Sequence, residues 1–159
     1  MSITVTKDSV DAVLQSIQEM ASKRVVVGVP MAKTERGEKI SNAALAYIHD
    51  NGSPAANIPA RPFLKPGVDA VKGKCAQILK QAGKKAIGLR GTVTIDKALN
   101  ACGLLAQTSV KKTIRAGEGF EPLSMRTLKA RERDGRKGTK PLIRTGQLLN
   151  SISYAVRKK

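Results

Sequence analysis

The side chains that could do chemistry are few and scattered. His49 is the only histidine, with Asp50 beside it, and Cys75 and Cys102 are the only cysteines. A Cys/His nucleophile or a metal centre would draw on these residues. Metal sites bring ligands in close pairs, such as two cysteines separated by two residues, and the sequence has no such pair. Both cysteines fall inside apolar helical patterns. They read as buried thiols of a reducing compartment rather than as a disulfide. The acids Glu132 and Asp134 sit among arginines, which is the pattern of a solvated charge run. Gly88-Leu89-Arg90-Gly91 is a helix–helix turn: it lacks the Gly-Lys-Ser/Thr of a phosphate loop, and no strand precedes it. The expectation is therefore a chain with no catalytic centre, no cofactor and no metal.

The bulk composition points to a binding role. The net charge is +17 over 159 residues. That charge attracts nucleic acid, acidic protein or an acidic membrane surface without choosing among them. Readers of single-stranded nucleic acid stack bases on aromatic rings, and Tyr47, Phe63, Phe120 and Tyr154 are the only aromatics. Nonspecific phosphate contact through Lys and Arg is what remains. "SITVTKDSVDAV" already carries acids, so neither a secretory signal nor a membrane span is expected at the N-terminus. The length suits one domain over residues 1–159 with an aliphatic core.

The elements that must position these residues follow from periodicity. "SITVT" alternates Ile3 and Val5 with polar neighbours, a short strand. Asp8 or Ser9 then caps a helix whose stripe is Val10, Val13, Leu14, Ile17 and Met20. "RVVVGVP", 24–30, reads as a buried strand, and 31–40 as an exposed loop. Ser41 caps the helix "NAALAYIHD", which Asn51-Gly52 ends. A helix from Pro66 carries Val68, Val71, Cys75, Ile78, Leu79, Ala82 and Ala86 inward, with lysines 72, 74, 80, 84 and 85 outward. A second, from about Asp96 to Arg115, carries Leu99, Cys102, Leu105, Ala106, Val110 and Ile114. Two such helices joined by a short turn read as an antiparallel hairpin. Ser124 caps a short helix with Met125 and Leu128. Residues 118–140 are charge-dense and read as a mobile loop or docking arm, with 130–140 as its loop proper. Thr145 caps a helix with Leu148 and Leu149 inward. Ile152, Tyr154 and Val156 alternate as a last strand, and "VRKK" reads as a second docking arm.

"NIPARPFLKPG", 57–67, stands apart. Ile58, Arg61 and Lys65 each precede a proline and are pushed towards extended geometry. Eight such residues reach roughly 25 Å, a stiff strap. Phe63 and Leu64 are its apolar anchors. Arg61 is a candidate either for partner recognition or for a salt bridge to Asp50, and its removal is expected to spare the monomer.

Two stretches together carry a family resemblance. "NAALAYIHDNGSPAANIPARPFLKPG" resembles the signature of tailed-bacteriophage minor tail and tail-completion proteins, the neck or virion-morphogenesis group. An Ala-rich helix leads to His49, Asp50 and Gly52. Pro59-Ala60-Arg61-Pro62-Phe63-Leu64 then precedes a long helix. "PLIRTGQLLNSISYAV" resembles the group's C-terminal segment through Thr145, Gly146, Leu148, Ser151 and Ile152. "VVVGVP" fits as well, so the likeness runs from about Arg24 to Val156. Two positions depart from the usual pattern: Asn51 stands where an aromatic often precedes the glycine, and Arg144 where an acidic or neutral residue often precedes Thr-Gly.

The resemblance implies an α+β fold, with a small, mostly antiparallel sheet on two long amphipathic helices and an extended charged arm. It implies a non-enzymatic virion component, assembled in the host cytoplasm. Such a protein forms a homo-oligomeric ring, of six copies or twelve, against other neck or tail proteins. Contacts in such a ring would fall to Arg61, Phe63, Lys65, Arg126, Lys129, Arg131, Arg133, Arg136, Lys137 and Arg157. His49, Asp50, Gly52, Pro59, Pro62, Leu64, Thr145 and Gly146 would be the structural motif. The rival expectation is a basic nucleic-acid-binding protein acting in packaging or regulation.

Overall fold

Seven helices and one antiparallel pair of strands make an α+β fold among the described residues. The computed structural model describes residues 7–31, 40–88, 92–136 and 138–159. The expected strand at Ile3 and Val5, most of the 31–40 loop, the centre of the 88–91 turn and Lys137 lie outside the described residues. The elements run α1 (Lys7–Ser22), β1 (Lys23–Gly28), α2 (Asn42–Asn51), α3 (Leu64–Asp69), α4 (Lys72–Gly88), α5 (Thr92–Ala116), α6 (Met125–Arg133), α7 (Gln147–Ser151) and β2 (Ser153–Lys158). Contacts divide the chain into two compact units.

The first unit comprises residues 1–26, 71–105 and 154–159. Ile95 and Leu99 of α5 are buried at its centre, packed by Met20, Val25, Leu79 and Val156. The Lys23 ammonium donates to Asp96 at 2.7 Å, and that bond raises the lysine's pKa. Cys102 is buried and Cys75 partly so, and both are free thiols. Each sulfur lies by the other's backbone carbonyl, at 3.6 and 3.8 Å. Burial first, then Cys75, pushes the Cys102 thiol up to about 11, which holds it protonated and inert.

The second unit comprises residues 27–70 and 106–153. Its core gathers Ala46, Phe63, Val110, Ile114, Leu148, Leu149 and Ile152, with Leu64, Phe120, Leu142 and Ile143 packed around them. α3 lies close on α5: a Cβ on Gly67 would stand 2.6 Å from Val110 Cα, so only glycine fits there.

Several expectations need correction. Asp8 and Ser9 lie inside α1, which starts at Lys7. Leu14 and Ile17 are about half exposed, at 53% and 52%, so the α1 stripe is not buried throughout. β1 alternates instead of being buried on both faces, and Val26 is exposed. Among the described residues it has one partner strand, and a two-stranded ribbon does not bury both faces. The helix expected from Pro66 starts at Leu64, which puts Lys65 in a helical turn rather than an extended one. Its continuation is broken at Ala70–Val71, so Val68 is exposed on α3, a separate element. The loop expected from 130 begins instead as the last turn of α6.

Candidate functional site

The strap is built from the cap of α2 onward. Ser41 Oγ accepts from Ala44 N at 3.2 Å and starts α2. Gly52 ends it with φ 79°, its N–H donating to Ile48 O at 2.8 Å. Ser53 and Ile58 then exchange two backbone hydrogen bonds, of 2.8 and 2.9 Å, around a 3-10 turn at Pro54–Ala56. Asn57 closes the turn in the left-handed region, which asparagine tolerates. The chain returns so tightly that a Cβ on Gly52 would lie 2.8 Å from Ala60 N. Gly52→Ala therefore meets both a steric clash and a left-handed backbone. It should cost about 1–3 kcal/mol in urea unfolding.

Asp50 is spent on the backbone. Its Oδ1 accepts from Phe63 N at 2.8 Å and from Leu64 N at 3.1 Å. Phe63 stands at the N-cap of α3 and has no side-chain oxygen, so Asp50 caps that helix from across the strap. The expected Asp50–Arg61 salt bridge is replaced by a different arrangement. Arg61 is buried at 6% exposure; its Nε donates to Glu121 O at 2.8 Å and its NH2 to Pro122 O at 3.1 Å. The Arg61 N–H donates to His49 O at 2.8 Å. Arg61 and Phe63, expected as contact residues, thus serve inside the fold.

Opposite the strap, Ser124 caps α6 through Thr127 N. Arg131 is buried at 7% exposure, and its NH1 donates to Gly138 O and Lys140 O at 2.8 and 3.0 Å. Its Nε is buried without a hydrogen-bond partner among the described residues. Burial, then the charges of Arg144 and Arg136, lowers its pKa, although a guanidinium stays charged. Arg144 pairs with Asp134 at 2.6 Å, so the departure from the family pattern at Arg144 has a partner of its own. Thr145 Oγ1 accepts weakly from Gln147 N at 3.4 Å, while Gly146, not Thr145, occupies the N-cap of α7. Leu142 is held at φ 60°, an unusual conformation for a large side chain.

These parts enclose an open cleft of about 1510 Å³ within the second unit. His49, Gly52, Pro59 and Arg61 line one side, and Thr145, Gly146 and Leu148 line it from the C-terminal segment. Arg126, Arg131, Arg136 and Arg144 add positive charge. Of the other expected residues, Lys129 and Arg133 are exposed but do not line the cleft. Lys65 is exposed and pairs with Asp69 on its own helix. Pro62 is exposed, Leu64 packs on the core, and Arg157 is exposed on β2 in the first unit. The sequence reading set Asp134 aside as solvated and missed that Glu121 and Pro122 receive Arg61. Their carbonyls carry no side-chain signature.

His49 is half-buried, and its Nδ1 is buried without a hydrogen-bond partner among the described residues. Burial, then the Arg61 charge, lowers its pKa from the usual 6.5. A histidine that resists protonation when folded takes up its proton on unfolding, so its stabilising contribution is complete above the unfolded value. That contribution falls away as pH drops from 6.5 through the lower folded value. Stability measured from pH 7.5 down to 5 should therefore decline in the native chain, and less in His49→Gln.

Among the described residues no group of three or more His, Cys, Asp or Glu side chains could hold a metal ion. No described helix is long and apolar enough to cross a membrane. Compared with known proteins, the chain matches no family model, no curated protein and no solved structure.

Proposed function

We propose that the chain is a structural protein of a tailed-bacteriophage virion. It acts without catalysis as one copy of a homo-oligomeric ring at the head–tail junction or the tail end. One observation carries this reading beyond the resemblance itself. The two resembling stretches are far apart in sequence, yet His49, Gly52, Pro59 and Arg61 of the first and Thr145, Gly146 and Leu148 of the second line one cleft. Of the motif residues that do not line it, Asp50 and Leu64 hold the strap in place, and Pro62 is exposed within the strap. A signature whose parts converge on one concave surface suits a docking module.

In this reading α4 and α5 are the long amphipathic pair, and the charged 118–140 segment is the arm that meets neighbouring protein. Contacts around the ring are heterologous, each patch meeting a different patch on the next copy. Copies number six or twelve by the resemblance. Immunogold labelling of complete particles tests the placement: label should sit at the neck or tail end, and particles without label would contradict it.

The +17 charge supports a second reading, a nucleic-acid-binding protein. A salt titration separates the two. The structural reading expects duplex affinity to vanish by about 0.2 M salt, and retained submicromolar affinity would favour the rival.

A further inference from the structure

The cleft has more positive charge than its own acids neutralise. Among the described residues five arginines line it, at 61, 126, 131, 136 and 144, against two carboxylates, Glu121 and Asp134. Asp134 is already paired with Arg144, and Arg61 is already bonded to two carbonyls. Arg131 is the unusual member. It is more than nine-tenths buried, it is charged, and two carbonyls occupy its NH1. Its Nε is buried and has no hydrogen-bond partner among the described residues. A buried donor on a charged group is costly to leave unmatched. That atom is closed to solvent, so a ligand in the cleft would answer the charge of Arg131 without bonding its Nε, and a carboxylate is the group that arginine charge favours. Arg126 and Arg136 are exposed on the same cleft and add to the attraction.

The walls narrow the class of ligand. Leu45, Ile58 and Leu142 are partly buried lining residues, so the cleft offers apolar surface beside its charge. None of the four aromatics lines it, which leaves a single-stranded nucleic acid no ring to stack on. A second copy of this chain is also a poor occupant. Its acids do not alternate with apolar residues: an arginine separates Glu132 from Asp134, and Glu35, Glu38 and Asp96 are each followed by a lysine or arginine.

We propose that the cleft binds an extended acidic peptide segment of another protein. The segment's carboxylates meet Arg126, Arg131 and Arg136, and its interleaved apolar side chains meet Leu45, Ile58 and Leu142. Charge complementarity selects the partner, and the apolar walls set the register. This assignment stands whether or not the chain belongs to a virion ring.

A fluorescent synthetic peptide of repeating Glu-Leu-Glu-Ser, titrated into the full chain at about 0.2 M salt, tests it. The expected result is saturable binding that weakens by about tenfold or more when glutamine replaces glutamate. Arg126→Glu with Arg136→Glu should cause a similar loss. Lys80→Glu with Lys84→Glu makes the same change of charge on α4, outside the cleft, and should leave affinity within about twofold. On peptide addition the Arg131 Nε–H resonance of the full chain should shift. Equal losses in the two double variants would reduce the binding to bulk charge and overturn the proposal. So would equal affinity for the glutamine peptide, no binding, an unmoved Arg131 resonance, or displacement by a single-stranded oligonucleotide at the same salt.

Discussion

Phe63→Ala should lower the free energy of unfolding by about 3–5 kcal/mol, read from urea denaturation of the full chain. The ring is fully buried, in one core with Val110, Ile114, Leu148, Leu149 and Ile152. Those partners come from α5, from α7 and from Ile152, the residue that ends α7, so the ring links segments far apart in sequence. Its backbone N–H is clamped separately by Asp50. Truncating the ring therefore leaves the strap tethered over a cavity that cannot readily collapse, the condition under which such losses are largest. Phe63→Leu retains most of the volume and should cost much less.

The second large effect belongs to Arg61. Arg61→Met should destabilise the folded chain by about 3 kcal/mol or more, since hydrogen bonds from a charged group are worth about 1.5–3 kcal/mol each and two are lost. The substitution strands the Glu121 and Pro122 carbonyls that the guanidinium now joins. Arg61→Lys keeps the charge but has no planar fork, so it should recover only part of the loss. Equilibrium unfolding of the two variants beside the native chain checks this. Native stability in Arg61→Met would show that the buried guanidinium adds nothing to the fold.

Arg61 shows where sequence stops being legible. Local signals were readable because their physics is local. Ser41 and Ser124 cap the helices that follow them, and Leu99, Cys102, Ala106, Val110 and Ile114 of the α5 stripe are buried as their spacing requires, with Leu105 partly so. Phe63 was readable as an anchor because an aromatic in a polar, proline-rich stretch needs a reason. Arg61 was not, since its acceptors are backbone carbonyls about sixty residues away, and every residue has one. Leu14 and Ile17 carry a helical stripe but remain half exposed, because periodicity marks a face without supplying its partner. The break at Ala70–Val71 had no proline to announce it. The cleft could be glimpsed only as two motifs. Their shared surface is a product of packing, and the buried Nε of Arg131, unpartnered among the described residues, belongs to neither motif.

The central claim is that this chain completes a virion, and its removal tests that most directly. Electron micrographs of lysates from a phage lacking only this protein should show filled heads and tails accumulating unjoined, or tails with unfinished ends. Adding the purified chain should restore complete particles. Joined, infectious particles assembled in its absence would contradict the account.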